Sequence, residues 1–325
     1  MRALVTGATG FTGTALCERL VRDGWDVSAF VRPSSRKQRL EELGVRCIEN
    51  DIASEDSVRR TFPDTDVVFH IAAAYRAEHA DHDEFVHVNV DATRHMLEEA
   101  QRRDVSRFVH CSTVGVQGEI EDPPAAEDYR FKPGDHYQES KLAGEQVALE
   151  FAGKGFAVSV VRPVGIYGPG DTRFLKLFKP VAKGYFIMIG AGKSLYHMTF
   201  IDDLVEGFML AATREEAIGE VFTIAGAEYT TLNELVGRIA SALGVKRRRF
   251  HIPLQPVLWA SVVCDKLCRS LGVSPPLYPR RVEFFMLDRA FSIDKARRLL
   301  GYEPKVSLDE GLRRTAEWYR SQNLL

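Results

Sequence analysis

Apolar residues along this chain keep two rhythms that alternate and then give way to one. Short β-branched and aromatic runs recur at Arg2–Thr6, Asp26–Val31, 66–71, Arg107–Cys111 and 158–161. Between them, apolar residues return every three or four positions, as in Ala15, Leu16, Leu20 and Val21, and again over Ala92–Arg102 and 141–151. Strands alternating with helices require crossover connections, which are right-handed, align the strands in parallel and leave helices on both faces. The expectation is an α/β fold built on a doubly wound parallel sheet.

Past Pro163 the helical rhythm dominates. Segments 174–184 and Leu232–Leu243 have helical spacing, 220–224 reads as one more strand, and 253–274 is an apolar helical stretch bounded by prolines. Residues 295–300 stop at Gly301 and Pro304; Ser307 and Glu310 then form a capping-box pattern for a last helix through Tyr319. This predicts a smaller, mostly helical part near the C-terminus, covering the carboxyl edge of the sheet. The expected division is 1–170 plus 198–226 for the sheet domain, and 171–197 plus 227–325 for the second part.

Composition narrows the class. With 325 residues, 45% of them hydrophobic, the chain can bury a large core and nothing in it reads as disordered. The 43 basic and 45 acidic residues are spread along it, so no electrostatic footprint points to nucleic acid, and the Lys246-Arg247-Arg248-Arg249 run reads as a solvated turn. Cys17, Cys47, Cys111, Cys264 and Cys268 are odd in number and lack metal or redox spacing, so they read as reduced thiols with no metal site. Strand residues follow Met1 directly, with no secretory leader, and no apolar run reaches the ~20 residues of a membrane span. A cytoplasmic enzyme acting on a small molecule is the expectation.

Two motifs carry chemistry. Gly7-Ala8-Thr9-Gly10-Phe11-Thr12-Gly13 lies between a strand and a helix, where glycines permit a tight turn, close approach to a pyrophosphate and close helix packing. That context points to a dinucleotide. The second strand ends Phe30-Val31-Arg32 with no carboxylate before Glu41, while Arg32, Arg36 and Lys37 surround Ser34 and Ser35. Such a cluster suits a 2′-phosphate, so NADP is preferred over NAD. Tyr137 and Lys141, four residues apart, would place a phenol and an ammonium on one helix face. Making a tyrosine useful at neutral pH takes about three units of depression, roughly 4 kcal/mol, which a neighbouring cation and a charged cofactor can together supply.

With this turn, Thr113, Tyr137 and Lys141 in order, the chain resembles an extended short-chain dehydrogenase/reductase, the superfamily of nucleotide-sugar epimerases and dehydratases and of 3β-hydroxysteroid dehydrogenase-like enzymes. The likeness covers nearly the whole chain and includes Asn50-Asp51-Ile52, His70-Ile71-Ala72-Ala73, Asn89-Val90, the stretch from Arg162-Pro163-Val164-Gly165-Ile166 to Gly170, and Phe200-Ile201-Asp202-Asp203. It implies a Rossmann sheet with a smaller substrate-binding part. It also implies that Tyr137 is the general acid/base, that Lys141 lowers its pKa and holds the nicotinamide ribose, and that Thr113, helped by Ser112, hydrogen-bonds the substrate oxygen. Asp51 and Ile52 would meet the adenine; Ala72, Ala73, Ala74, Asn89, Pro163, Val164 and Ile166 would border the rest of the cofactor. Asp51 as a helix cap and Asn89 as a buried polar anchor are the structural alternatives. A homodimer through Ala92–Arg102 and 141–151 is what the resemblance implies.

Departures from the sugar-nucleotide pattern point to the substrate. Gly165 stands where those enzymes usually carry an asparagine that holds the diphosphate; Tyr196-His197-Met198-Thr199 stands where an arginine is common, and Gln117 replaces a tyrosine. Arg280 and Arg281 remain available to a phosphate. The apolar segment 252–264 reads as a lid over a lipophilic substrate, a core helix, an oligomer contact or a shallow membrane contact. The leading expectation is a secondary alcohol/ketone oxidoreductase acting on a moderately apolar molecule. A nucleotide-sugar epimerase or dehydratase is the second, and a non-catalytic dinucleotide sensor the third.

Overall fold

The computed structural model of the chain describes residues 1–75, 82–247 and 250–325. Arg248, Arg249 and the side chain of Arg280 lie outside the described residues. Among the described residues twelve strands run in chain order as β1 (Arg2–Thr6), β2 (Asp26–Val31), β3 (Arg46–Glu49), β4 (Val67–His70), β5 (Arg107–Cys111), β6 (Val158–Pro163), β7 (Gly165–Tyr167), β8 (Ile187–Ile189), β9 (Leu195–Phe200), β10 (Val221–Ile224), β11 (Tyr229–Thr231) and β12 (Phe250–Ile252). Seven form one sheet in the order β10-β6-β5-β4-β1-β2-β3, every neighbouring pair parallel. This is the doubly wound Rossmann arrangement. Its order reverses between β1 and β4, where the register sets Thr6 beside His70, so the loops leaving both strands open a crevice at the carboxyl edge.

The central strands are apolar throughout because helices cover both faces. Their alternation sorts the residues into two cores. Ala3, Val5, Phe69, Val109 and Val161 pack with Leu16, Cys17 and Leu20 of the Phe11–Arg22 helix and with Leu204 and Phe208 of the Ile201–Thr213 helix. Leu4, Val68, Phe108 and Val160 face the other way, onto Met96, Leu97 and Ala100 of the Ala92–Arg102 helix and Val147, Ala148 and Phe151 of the His136–Gly153 helix. The first core runs on without a break into the Leu232–Leu243 and Leu308–Ser321 helices. Small sheets β11-β9-β7 and β12-β8 accompany the C-terminal helices.

Several elements differ from the periodicity. The edge strand β3 is half exposed and has no apolar run to show, and the strands β7, β8, β9, β11 and β12 are three to six residues long. Helix His136–Gly153 starts five residues before the segment 141–151, because Asp135 caps it by accepting from the Gln138 amide at 2.8 Å. Ser307 caps the last helix through the Glu310 amide, but the Glu310 carboxylate pairs with Arg313, so only half of the capping box forms. Among the described residues no helix is long and apolar enough to cross a membrane.

Candidate active site

The glycine turn occupies the β1 side of the crevice. Gly7 takes φ +69°, and a Cβ there would stand 2.8 Å from the Ala72 amide nitrogen; a Cβ on Gly13 would meet the Ala8 Cα at 2.7 Å and the Gly7 carbonyl. Gly10 begins the helix without a side-chain cap, and the first helical bond runs from the Thr14 amide to its carbonyl at 2.9 Å. The amides of Phe11, Thr12 and Gly13 precede that bond. With Thr9 and Gly10 exposed on the rim, this is a cradle of N–H donors that only glycines leave open, and it fits a dinucleotide pyrophosphate.

A one-way hydrogen-bond chain ties the two sides of the crevice together. The Thr6 hydroxyl oxygen accepts from the Ile71 and Ala72 amides at 3.1 Å each, which turns its proton toward His70 Nδ1 at 2.9 Å. His70 Nε2 then donates to the Thr93 hydroxyl at 3.0 Å, and Thr93 donates to the Asn89 carbonyl at 2.9 Å. Burial and the nearby Lys141 ammonium hold His70 down at about 3, so it is a neutral structural imidazole. Asn89 lies in a π-helical turn, His87–Asp91. Its side chain accepts from the Ala74 amide at 2.8 Å and donates to the Ser140 hydroxyl at 2.9 Å, which donates to the Tyr137 carbonyl. The buried-anchor alternative for Asn89 therefore describes what it does. It fixes the loop after β4 to the turn that carries Tyr137.

Tyr137 and Lys141 do share one face of the His136–Gly153 helix, beside the end of β5. Lys141 is buried, and its ammonium donates to the Cys111 carbonyl at 2.6 Å; desolvation draws its pKa below the ordinary value while Cys111 and Glu145 act to raise it. The Tyr137 ring packs edge-on to Tyr75 at 5.1 Å and to Phe85 at 6.4 Å. Burial raises its phenol above the ordinary tyrosine value, Cys111, Tyr75 and Asp135 push the same way, and Arg173 opposes them. The protein's own groups thus move this phenol up on balance, with Arg173 as a cation that opposes them. The Ser112 hydroxyl is buried with no hydrogen-bond partner among the described residues, and Thr113 accepts from the Gly115 amide at 3.1 Å.

At the adenosine end, Arg32 and Arg36 are exposed and make no ion pair among the described residues, whereas Lys37 pairs with Glu49 at 3.1 Å. Glu49, opposite Val31 in the β2-β3 register, is a carboxylate at this corner that the linear distance along the chain concealed. Asp51 is exposed, and its carboxylate accepts from the Ala53 amide at 3.1 Å; the cap of the Glu55–Thr61 helix is Ser54, which corrects the capping alternative for Asp51. Ile52 is half-buried against the second core. Pro163 ends β6, Val164 is buried, and the Ile166 carbonyl accepts from Arg173 at 3.0 Å.

On the substrate side, a Cβ on Gly165 would stand 3.1 Å from both Cε1 and Oη of Tyr196. The glycine leaves the space that this ring fills. Tyr196 packs edge-on to Phe284 at 5.2 Å and Phe174 at 6.3 Å, making an aromatic wall, and its hydroxyl has no partner among the described residues. Burial raises the Tyr196 phenol, with Tyr75, the neighbour of Tyr137, adding to the rise and Arg289 and Arg173 opposing it. Arg173, which sequence reading missed, donates to Asp171 at 2.6 Å and lies over the Phe11 ring at 5.5 Å. The signal for it was the Asp171/Arg173 pair just after Gly170. His197 and Gln117 are tied to backbone carbonyls, of Gly226 at 3.0 Å and Ala126 at 2.7 Å, and Arg162 forks onto Glu145. Arg281 lies over Tyr278, and no cluster of metal-ligating side chains occurs among the described residues.

A doubly wound sheet with a phosphate turn at its switch point, and a tyrosine and lysine one helical turn apart beside it, define an NAD-dependent oxidoreductase of the extended short-chain dehydrogenase/reductase superfamily. Residues 3–225 match the NAD-dependent epimerase/dehydratase family, and the chain belongs to it. It is 30% identical to a 2-alkyl-3-oxoalkanoate reductase of Stenotrophomonas maltophilia over 97% of this chain and 98% of that one. It is 32% identical to a 3 beta-hydroxysteroid dehydrogenase/Delta 5-->4-isomerase of Mycobacterium tuberculosis over 98% and 90%. A UDP-glucuronic acid 4-epimerase of Bacillus cereus, solved with UDP-glucuronic acid and NAD, superposes with a TM-score of 0.77 at 26% identity, covering 99% and 100% of the two chains.

Proposed function

We propose that the chain interconverts a secondary alcohol and a ketone on a moderately apolar substrate, with Tyr137 as general acid/base. The observation that carries this reading is the exchange at Gly165: where a diphosphate-holding side chain would stand there is the Tyr196 ring, backed by Phe174 and Phe284. Such a wall favours an apolar body over a charged one. The relatives named as a 3-oxoalkanoate reductase and a hydroxysteroid dehydrogenase support the same direction.

The nicotinamide, when bound, supplies or accepts the hydride. The protein's part is proton transfer and positioning. In reduction the Tyr137 phenol, protonated because burial favours its neutral form, gives its proton to the oxygen that gains negative charge. Thr113 and the unpartnered Ser112 hydroxyl steady that oxygen. In this reading Lys141 holds the cofactor ribose, and its charge together with the cofactor's supplies the stabilisation that Tyr137 needs for the reverse reaction. Arg32 and Arg36 support NADP(H) over NAD(H), and kinetics with both cofactors check that preference. A clear advantage for NAD(H) would remove it.

The family's epimerase members favour a second reading, transient hydride transfer on a sugar nucleotide. Turnover decides between the two. Stoichiometric consumption of reduced cofactor with a 3-oxo acid or ketosteroid is expected, and conversion of a UDP-sugar with no net cofactor change would defeat the proposal. Tyr137→Phe should lower kcat by about 10² to 10⁴-fold while cofactor binding, read by fluorescence, persists. Unchanged turnover in that variant would point instead to a dinucleotide sensor.

A further inference from the structure

Residues 246–283 hold eight basic side chains and two acidic ones in a chain of net charge −2, so this segment is +6 and the rest of the chain −8. The same segment carries the Leu254–Ser270 helix, over whose first part the sequence left a substrate lid, a core helix, an oligomer contact and a shallow membrane contact open. Only one face of it is covered. Leu258, Ser261 and Cys264 turn inward, while Trp259, Val262, Val263 and Leu267, at helical spacings of three and four, face out. Trp259 is 72% exposed, Leu267 58% and Leu271, just beyond the helix, 75%. Strand β12, two residues before the helix, adds exposed Phe250 and Ile252, and its partner β8 adds Ile187. Lys246, Lys266 and Arg281 are exposed among them.

An apolar stripe of this kind needs a cover, and its charge selects one. A second copy would bring the exposed Lys246, Lys266 and Arg281 against cations of their own kind. An anionic bilayer surface attracts the cations, accepts the apolar stripe into the boundary between headgroups and acyl chains, and suits an indole that is apolar with one polar edge. We propose that this face docks the protein peripherally on anionic membranes, with Trp259 and Leu267 inserted and Lys246, Lys266 and Arg281 at headgroup level. The proposal stands apart from the reaction assigned above. The acidic remainder of the chain is repelled by the same surface and so fixes which way the molecule faces.

Co-sedimentation of the full chain with two kinds of vesicle tests it: equimolar phosphatidylcholine and phosphatidylglycerol, or phosphatidylcholine alone. Binding to the anionic vesicles should exceed that to the neutral ones by about ten-fold or more and weaken as salt is raised. The double variant Trp259→Glu, Leu267→Glu should lose binding with an unchanged melting temperature, since both side chains are exposed. If that variant fails to fold, indole emission replaces it: anionic vesicles should shift the wild-type emission to the blue, and Trp259→Phe should abolish the shift. Equal binding to both vesicles, or binding to neither, would overturn the proposal. So would a dimer that the double variant converts to monomer while vesicles stay unbound, because the face would then join two copies.

Discussion

His110 shows what one buried side chain can set for the stability of the molecule. It stacks on His70 at 5.7 Å, and neither of its ring nitrogens has a hydrogen-bond partner among the described residues. Burial, Lys141 and His70 hold it well below the ordinary histidine value, while His70 lies at about 3 and His197 at about 4, both by burial. The unfolded chain binds protons at these sites below about pH 6.5 and the folded one does not, so stability is intact above that pH and falls as pH drops toward the folded values. Each such histidine costs about 1.4 kcal/mol per pH unit across that window. His110→Phe should therefore lose less stability than the parent between pH 7 and pH 5, by about 2 kcal/mol, measured by denaturant unfolding at both values. Equal losses in parent and variant would show that His110 takes up a proton in the folded state.

At the scale of elements, the cap of the His136–Gly153 helix joins folding to chemistry. Asp135 closes its first turn, and its charge is also among those raising the Tyr137 phenol. Asp135→Ala should cost about 1 kcal/mol of stability, whereas Asp135→Asn keeps the cap and removes the charge. In the oxidation direction, where the phenol must first lose its proton, the rising limb of the rate profile should move to lower pH in the asparagine variant, and an unmoved limb would discount Asp135 as an influence on the phenol. The sequence made this helix's face legible through the four-residue spacing of Tyr137 and Lys141, and the glycine turn through its place between strand and helix. It hid the helix start, since Tyr137-Gln138-Glu139-Ser140 has no apolar period, and it hid every contact made by register or packing. Glu49 beside Val31 and Lys37, Arg173 near Tyr137 and Tyr196 against Gly165 are neighbours only after the chain has folded.

Across the whole molecule, the sheet is held to its helices by more than apolar contact. Arg162 of β6 and Glu145 of the His136–Gly153 helix form a fully buried fork, at 3.0 and 2.5 Å, and the same guanidinium donates to the Glu127 carbonyl at 2.8 Å. Removing one partner leaves the other charged and dry, so Arg162→Met should destabilise the fold by about 3 to 5 kcal/mol. The double change Arg162→Met, Glu145→Leu should recover much of that loss in thermal melts, and a double variant as unstable as the single one would mean that the Glu127 contact carries the effect. The pairing of Gly165 with Tyr196 has a consequence for how such a sequence can change. A Cβ at 165 would press on the ring at 3.1 Å, so an asparagine there requires the ring to give way, and a shortened residue at 196 leaves a hole while the glycine is there. Each step alone passes through a poorer protein. The two positions are therefore expected to be exchanged together among descendants of this chain, and a lineage that has crossed to the other pair has no easy single step back.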